Sequence, residues 1–317
     1  MPVNQVTDHR RRVLPVDQAV RLANSIPAIG EKVKMGGIKA NYRVFMGAPE
    51  RHRTSKKAIS TVIATAILTG VMLTIVSVAL FYSTSLIDMN RQTMEYEYAK
   101  EQLTYAATAL EQVAFGTGGS RYVRFSLTST RVSFKTSAAT LEVLAYGVAE
   151  NYLVYNDTPR QLEVCGGPLV TTVPRLLYPE SGSLETELGK FIVGGGEPLV
   201  VVYENFTRGA CAFLMPRLRA FFNGQINVTI GNSVKRYNYF VLHIVKLTYG
   251  RLGGSGTIPV VFRNINLKVF EYVFQDTDKV TITASLGENV YNKDLEGPPA
   301  DGSVLIVKIA TIEISTG

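Results

Sequence analysis

From Ala58 to Ile87 the chain carries no charged residue, and Lys57 and Asp88 bracket the run. A run of that length leaves few options. About 20 apolar residues cross a bilayer as a helix, so this one spans with length to spare. It exceeds the apolar region of a secretory signal, typically about 7–15 residues. The competing reading, a buried core helix of a soluble protein, asks for a shorter uncharged stretch. Charge then orients the span. Residues 1–57 hold 12 Lys+Arg against 4 Asp+Glu. The positive-inside rule keeps that flank in the cytoplasm and puts the C-terminal domain outside.

The helix is expected to outrun a membrane. Residues 89–115 contain Met94, Tyr98, Leu103, Ala106, Leu110 and Val113 at spacings of three to five. That spacing predicts one helical face, with Glu95, Lys100, Glu101 and Glu111 mostly off it. No proline interrupts 58–115, and the glycine-rich run from Gly116 ends the pattern. A continuous helix over 58–115 would be on the order of 87 Å long. Its first half is apolar all round, a surface that faces lipid or copies of itself. Thr61, Thr65 and Thr69 recur every four residues, and Gly70 comes next after them. Small residues and hydroxyls let helices approach closely; the same residues are also common in membrane helices, and both readings stand.

The string Lys56-Lys57-Ala58-Ile59-Ser60-Thr61-Val62-Ile63-Ala64 resembles the processing site of archaeal type IV pilins, in which a basic pair and a small residue precede a hydrophobic helix. The resemblance covers about a tenth of the chain, and archaellins share the plan. It implies cleavage between Lys57 and Ala58 by a prepilin-type peptidase, with Lys56, Lys57 and Ala58 as the processing site. It also implies a stay in the membrane, then polymerisation with other copies into a pilus or a swimming filament at the cell surface. Bacterial pilins usually carry glutamate at the fifth mature position, where this chain has Val62. A 57-residue leader is long for the family. Met46 would open a compact basic leader, so residues 1–45 are expected to be a misassigned start; the rival is a cytoplasmic extension with a short helix over Asp17–Asn24.

Residues 116–317 read as an antiparallel, sandwich-like β domain resembling an enlarged immunoglobulin plan, giving an α+β chain: leader 1–57, helix 58–115, β domain 116–317. Val123, Phe125 and Leu127 alternate with polar residues; so do Val132 and Phe134, and Val280, Ile282 and Ala284. Residues 234–249 and 258–275 read as two strands or hairpin arms joined by a glycine-rich loop. A last strand covers Val304–Ser315, and insertions are expected at 175–200.

Several chemistries are disfavoured. The formal charge of +7 suggests nucleic acid, but beyond residue 57 the counts are 21 basic and 22 acidic. A phosphate-tracking surface there has little support. His243, inside a Val-Leu-His-Ile-Val strand, reads as structural, since His9 and His52 lie in the leader. No His/Cys cluster has zinc spacing. The glycine runs at 194–196 and 253–256 lack the helix that a phosphate loop or nucleophile elbow needs. Asp276–Asp278 and Asp294–Asp301 offer oxygens that suit calcium, but read as solvated turns. No cofactor, metal or catalytic residue is expected. Cys165 and Cys211 either pair, as an extracellular domain allows, or stay as buried thiols. Asn156, Asn205 and Asn227 open sequons on the expected outer side, where glycosylation is possible. Three functions are compatible with these features, in order of preference: a filament subunit with an adhesive β surface, a singly anchored binding or surface-layer protein, and an extracytoplasmic enzyme, which lacks a constellation.

Overall fold

The 55-residue helix α1, Thr61–Phe115, dominates the computed structural model of this chain. The structure describes residues 61–116, 119–206, 209–230, 233–251 and 253–316. The leader, the Lys56-Lys57-Ala58 site, the Met46 start and the expected short helix at 17–24 lie outside the described residues. At 1.5 Å per residue α1 runs roughly 80 Å. It ends where Asn264 donates from its side-chain amide to the carbonyls of Val113 and Ala114, both at 3.2 Å. Those are among the carbonyls that a helix C-terminus leaves unpaired.

Beyond α1 the described residues form fifteen strands and a short helix: β1 Ser120–Leu127, β2 Arg131–Thr136, β3 Leu141–Tyr146, β4 Asn151–Asp157, β5 Arg160–Cys165, β6 Arg175–Tyr178, α2 Leu184–Gly189, β7 Ile192–Val193, β8 Val200–Phe206, β9 Ala210–Pro216, β10 Leu218–Ile230, β11 Ser233–Tyr249, β12 Gly256–Gln275, β13 Lys279–Leu286, β14 Asn289–Glu296 and β15 Gly302–Thr316. They make a six-stranded central sheet, order β1-β12-β15-β11-β10-β7, a four-stranded sheet, β14-β13-β3-β4, and a five-stranded sheet, β2-β5-β9-β8-β6. The expected insertion region 175–200 holds β6, α2 and β7.

Two cores use the two faces of the central sheet. On one face Phe240, Leu242, Leu305 and Val307 meet Val143, Ala145, Val280, Ile282 and Ala284 of the four-stranded sheet. On the other, Phe262, Ala310, Ile312 and Ile314 meet the C-terminal half of α1, which also packs on Leu162, Val164, Val202, Ala212 and Leu214 of the five-stranded sheet. The helix half therefore fills the angle between two sheets, with Glu101, Tyr105, Thr108 and Gln112 left exposed along its outer side. The sandwich-like plan holds, with the helix built into it.

The structure corrects two expectations. The domain is not purely antiparallel, because β11 runs parallel to β15 and β10 parallel to β7. The segments 234–249 and 258–275 are strands, but they do not pair with one another: β15 lies between them. Buried Leu305 and Val307 serve one face of β15 while Ala310, Ile312 and Ile314 serve the other. A strand apolar on both faces belongs in the middle of a sheet.

The predicted helical face also needs correction. Leu103, Ala106, Leu110 and Val113 are buried, but Met94 is 73% exposed and Tyr98 45%. Met94 precedes Leu103 by nine residues, which at 3.6 residues per turn places it roughly 180° round the helix. The true stripe runs Tyr96, Ala99, Lys100, Leu103, Ala106, Ala107, Leu110, Val113, Ala114.

Candidate assembly helix

Every residue of α1 from Thr61 to Arg91 is exposed. That segment includes Val62, Ile63, Ile67, Leu68, Val71, Met72, Leu73, Ile75, Val76, Leu80, Phe81 and Ile87. It is long and apolar enough to cross a membrane. No described part of the β domain covers it. Monomeric soluble proteins rarely show contiguous apolar patches of more than a few hundred square ångströms, and this helix presents about 30 residues of such surface along roughly 45 Å.

The hydroxyls of Thr65 and Thr69 are already used. Thr65 Oγ1 donates to the carbonyl of Thr61 at 3.0 Å, and Thr69 Oγ1 to that of Thr65 at 2.9 Å. Thr74 does the same to Gly70 at 2.9 Å. Satisfied within their own helix, these groups can face lipid or an apolar neighbour without a further partner. This suits Thr61, Thr65 and Thr69 both to close helix approach and to a plain lipid-facing surface. At Gly70 an added Cβ would meet nothing within 4 Å.

The helix leaves the domain through a polar collar that hydrophobic patterning does not reveal. Gln92 Oε1 accepts from the Leu169 amide at 3.2 Å. Glu95 accepts from the Ser129 amide at 2.8 Å and from the Ser129 hydroxyl. Burial opposes charge on Glu95, but those bonds and Arg91 outweigh it and lower its pKa. Tyr96 packs on Val170 and Ala210. Lys100, 5% exposed, pairs with Glu204, 1% exposed, at 2.9 Å. Arg175 closes on the other Glu204 oxygen at 2.9 Å. Burial pushes the Glu204 pKa up, yet bonds from Thr172 and Lys100 and the charges of Lys100 and Arg175 bring it below its ordinary value. Deeper in, Glu111 accepts from the amides of Leu199 and Val200 and from Arg219. Lys100 and Glu111, expected off the packed face, are thus on it or beside it as anchors. Their partners lie some 90–110 residues away along the chain, so no local signal points to them.

Cys165 and Cys211 are disulfide-bonded to one another, directly opposite in the β5–β9 pair. Glu163 lies close enough to both sulfurs to suggest a metal set, but with the sulfurs joined no thiolate remains to bind one. His243 stacks on Phe115 with centroids 4.0 Å apart, and Phe221 meets its edge. Among the described residues, neither ring nitrogen has a hydrogen-bond partner. Burial first, then Lys308 and Arg219, lower its pKa to about 4. With no carboxylate to orient it, this histidine lacks the arrangement of a general base.

Asp294 pairs with Lys279 at 2.8 Å and Asp301 accepts from the Arg236 amide at 2.7 Å, so both are engaged within the domain. Gly194 opens a turn closed by Glu197, whose amide donates to the Gly194 carbonyl at 3.3 Å. Of the sequon asparagines, Asn156 on β4 and Asn227 on β10 are exposed. Asn205 is partly buried and its side chain accepts from the Phe206 amide at 2.7 Å; Thr207 of that sequon lies outside the described residues. No family model, no curated protein and no solved structure matches this chain.

Proposed function

We propose that this chain is the structural subunit of an extracellular filament of the type IV pilus kind. In this reading it is cut before Ala58 by a prepilin-type peptidase and polymerised through α1, with the β domain outermost and available for adhesion. The observation that carries the reading is one helix with two environments. Its C-terminal half is locked between two sheets, while Thr61–Arg91 is bare on every side. A helix that only held the domain to a membrane would need no such rigid continuation. A subunit that must hold its outer domain at a fixed angle to a helical core does. The basic pair before Ala58 supplies the means of release from the leader. Function then comes from burial of apolar area between copies, not from catalysis.

The test is the mature N-terminus. Cell-surface filaments sheared from the producing cells are expected to contain this chain beginning at Ala58. Lys57→Glu is expected to stop cutting and leave the chain in the membrane. An intact chain that stays in detergent-extracted membranes, indifferent to Lys57→Glu, would reject the filament and favour a single anchor. Rotation of cells by the filament would favour the archaellum form. Intact-protein mass at the unglycosylated value would remove Asn156, Asn205 and Asn227 as sugar sites.

A further inference from the structure

The central sheet has two long free edges. β1 covers β12 only as far as the Ser120–Arg263 pair, whereas β15 pairs with β12 on to Gln275. Asn264 is taken up by the end of α1, and the Tyr152 hydroxyl reaches the Val273 carbonyl at 3.5 Å. Between them, among the described residues, Ile265–Tyr272 has no strand on the side away from β15. Eight residues make an edge about 25 Å long. It exposes apolar side chains on both faces: Leu267 and Val269 on one, Phe270 on the other. The opposite edge is β10. β7 covers it only at Leu218 and Arg219, and after the bulge at Phe222/Gly224 the run from Gln225 is open, with Ile226 exposed.

Natural sheets protect such edges with charge, proline or brevity. Three of the four edges of the other sheets do so: β2 carries Arg131 and Lys135, β14 carries Lys293, Asp294 and Glu296, and β6 has four residues; β4, seven residues long, carries only Asp157. β10 carries no charge beyond Arg219, and free β12 has only Lys268 and Glu271. A long edge with few charges and apolar side chains exposed on both faces is a template for another strand.

We propose that Ile265–Tyr272 of β12 accepts a strand from a second copy of this chain, donated by the free run of β10. Strand direction selects this occupant. β12 is antiparallel to β15, β15 is parallel to β11, and β11 is antiparallel to β10. β10 and β12 therefore run the same way. A second copy slid across the sheet plane pairs its β10 in parallel with β12, and its α1 keeps the same direction. The contact is head-to-tail, the kind that propagates instead of closing. Pairing β12 with β12 would turn the second helix over. The choice of a second copy rests on the filament reading, and the strand match supplies its own support.

The test joins the two edges. The full chain carrying Val269→Cys and Asn227→Cys, with its native disulfide left oxidised, is treated with a short bismaleimide and run on denaturing gels. A ladder of multimers from the double variant, with neither single variant forming dimers, is expected. Val269→Lys is expected to keep the domain's melting curve and cut filament yield at least tenfold. Filaments without a ladder would overturn the edge pairing and leave the filament reading intact. Dimers from Val269→Cys alone would overturn it in favour of a symmetric contact. A ladder from uncut, membrane-held chain would keep the pairing and sink the helix-driven filament. An uncut chain with no ladder overturns both.

Discussion

At the scale of single residues, the buried ionisable groups make the fold acid-sensitive in two steps. The His243 pKa is lowered to about 4 from 6.5. A lowered folded value means that its contribution is present above pH 6.5 and lost as pH falls towards 4, because the unfolded chain takes up the proton first. We expect up to about 3 kcal/mol of stability to go in that window. Denaturant melts at pH 7 and pH 4 check this: His243→Phe, which keeps the stack on Phe115, should flatten the decline between them. Glu204, Glu187 and Asp157 are also lowered, so their contributions fade as pH drops below about 4.5. Lys100→Ala leaves buried Glu204 with Thr172 and the half-exposed Arg175, and is expected to cost about 3 kcal/mol at neutral pH. These anchors are the least legible part of the chain. Lys100 and Glu111 look like solvent-facing charges when sorted by polarity, and only folding brings them to Glu204 and to the Leu199 amide.

At the scale of elements, the helix is the most legible part, because thirty uncharged residues succeeded by a 3.6-residue rhythm leave little freedom. The stripe expected through Met94 and Tyr98 misses because spacings of four and five drift round a helix. Leu103→Ala tests the corrected stripe. Leu103 is fully buried against two sheets, and truncation is expected to cost about 2–5 kcal/mol, while Met94→Ala costs little outside an assembly. Reducing the Cys165–Cys211 bridge, which links residues 46 apart, is expected to lower stability by about 4 kcal/mol on the chain-entropy account. Gly70→Leu separates the helix from its neighbours: open space surrounds Gly70 in the single chain, so circular dichroism should be unchanged, and filament yield should fall if helices approach closest there. The strands are legible one by one through period-two alternation. Their neighbours are not, since alternation says which face is buried and nothing about which strand lies beside it. The insertion of β15 between β11 and β12 is nonetheless foreshadowed by its apolar residues on both faces.

At the scale of the whole molecule, an α+β chain of helix plus sandwich-like domain is legible, and the layering of helix between sheets is not. An amphipathic stripe announces one buried side and does not say that two different sheets share it. The layering makes the domain interdependent. The central and five-stranded sheets share α1 as their common filler, so we expect one unfolding transition for both. Hydrogen exchange should show β9 and β15 losing protection together in Leu103→Ala; protection lost in one sheet alone would mean that they unfold separately.

The embedded half of α1 also decides how the molecule answers a pull. Traction applied along the bare segment, parallel to the helix axis, loads the packed rows of α1 in shear. Drawing the rod lengthwise across the two sheets shears every packed row from Tyr96 to Ala114 and breaks the Lys100, Glu95 and Glu111 links in the same displacement. Contacts loaded side by side share the force, whereas contacts loaded in series fail singly. The joint between the bare segment and the domain is therefore built as a tension-bearing coupling.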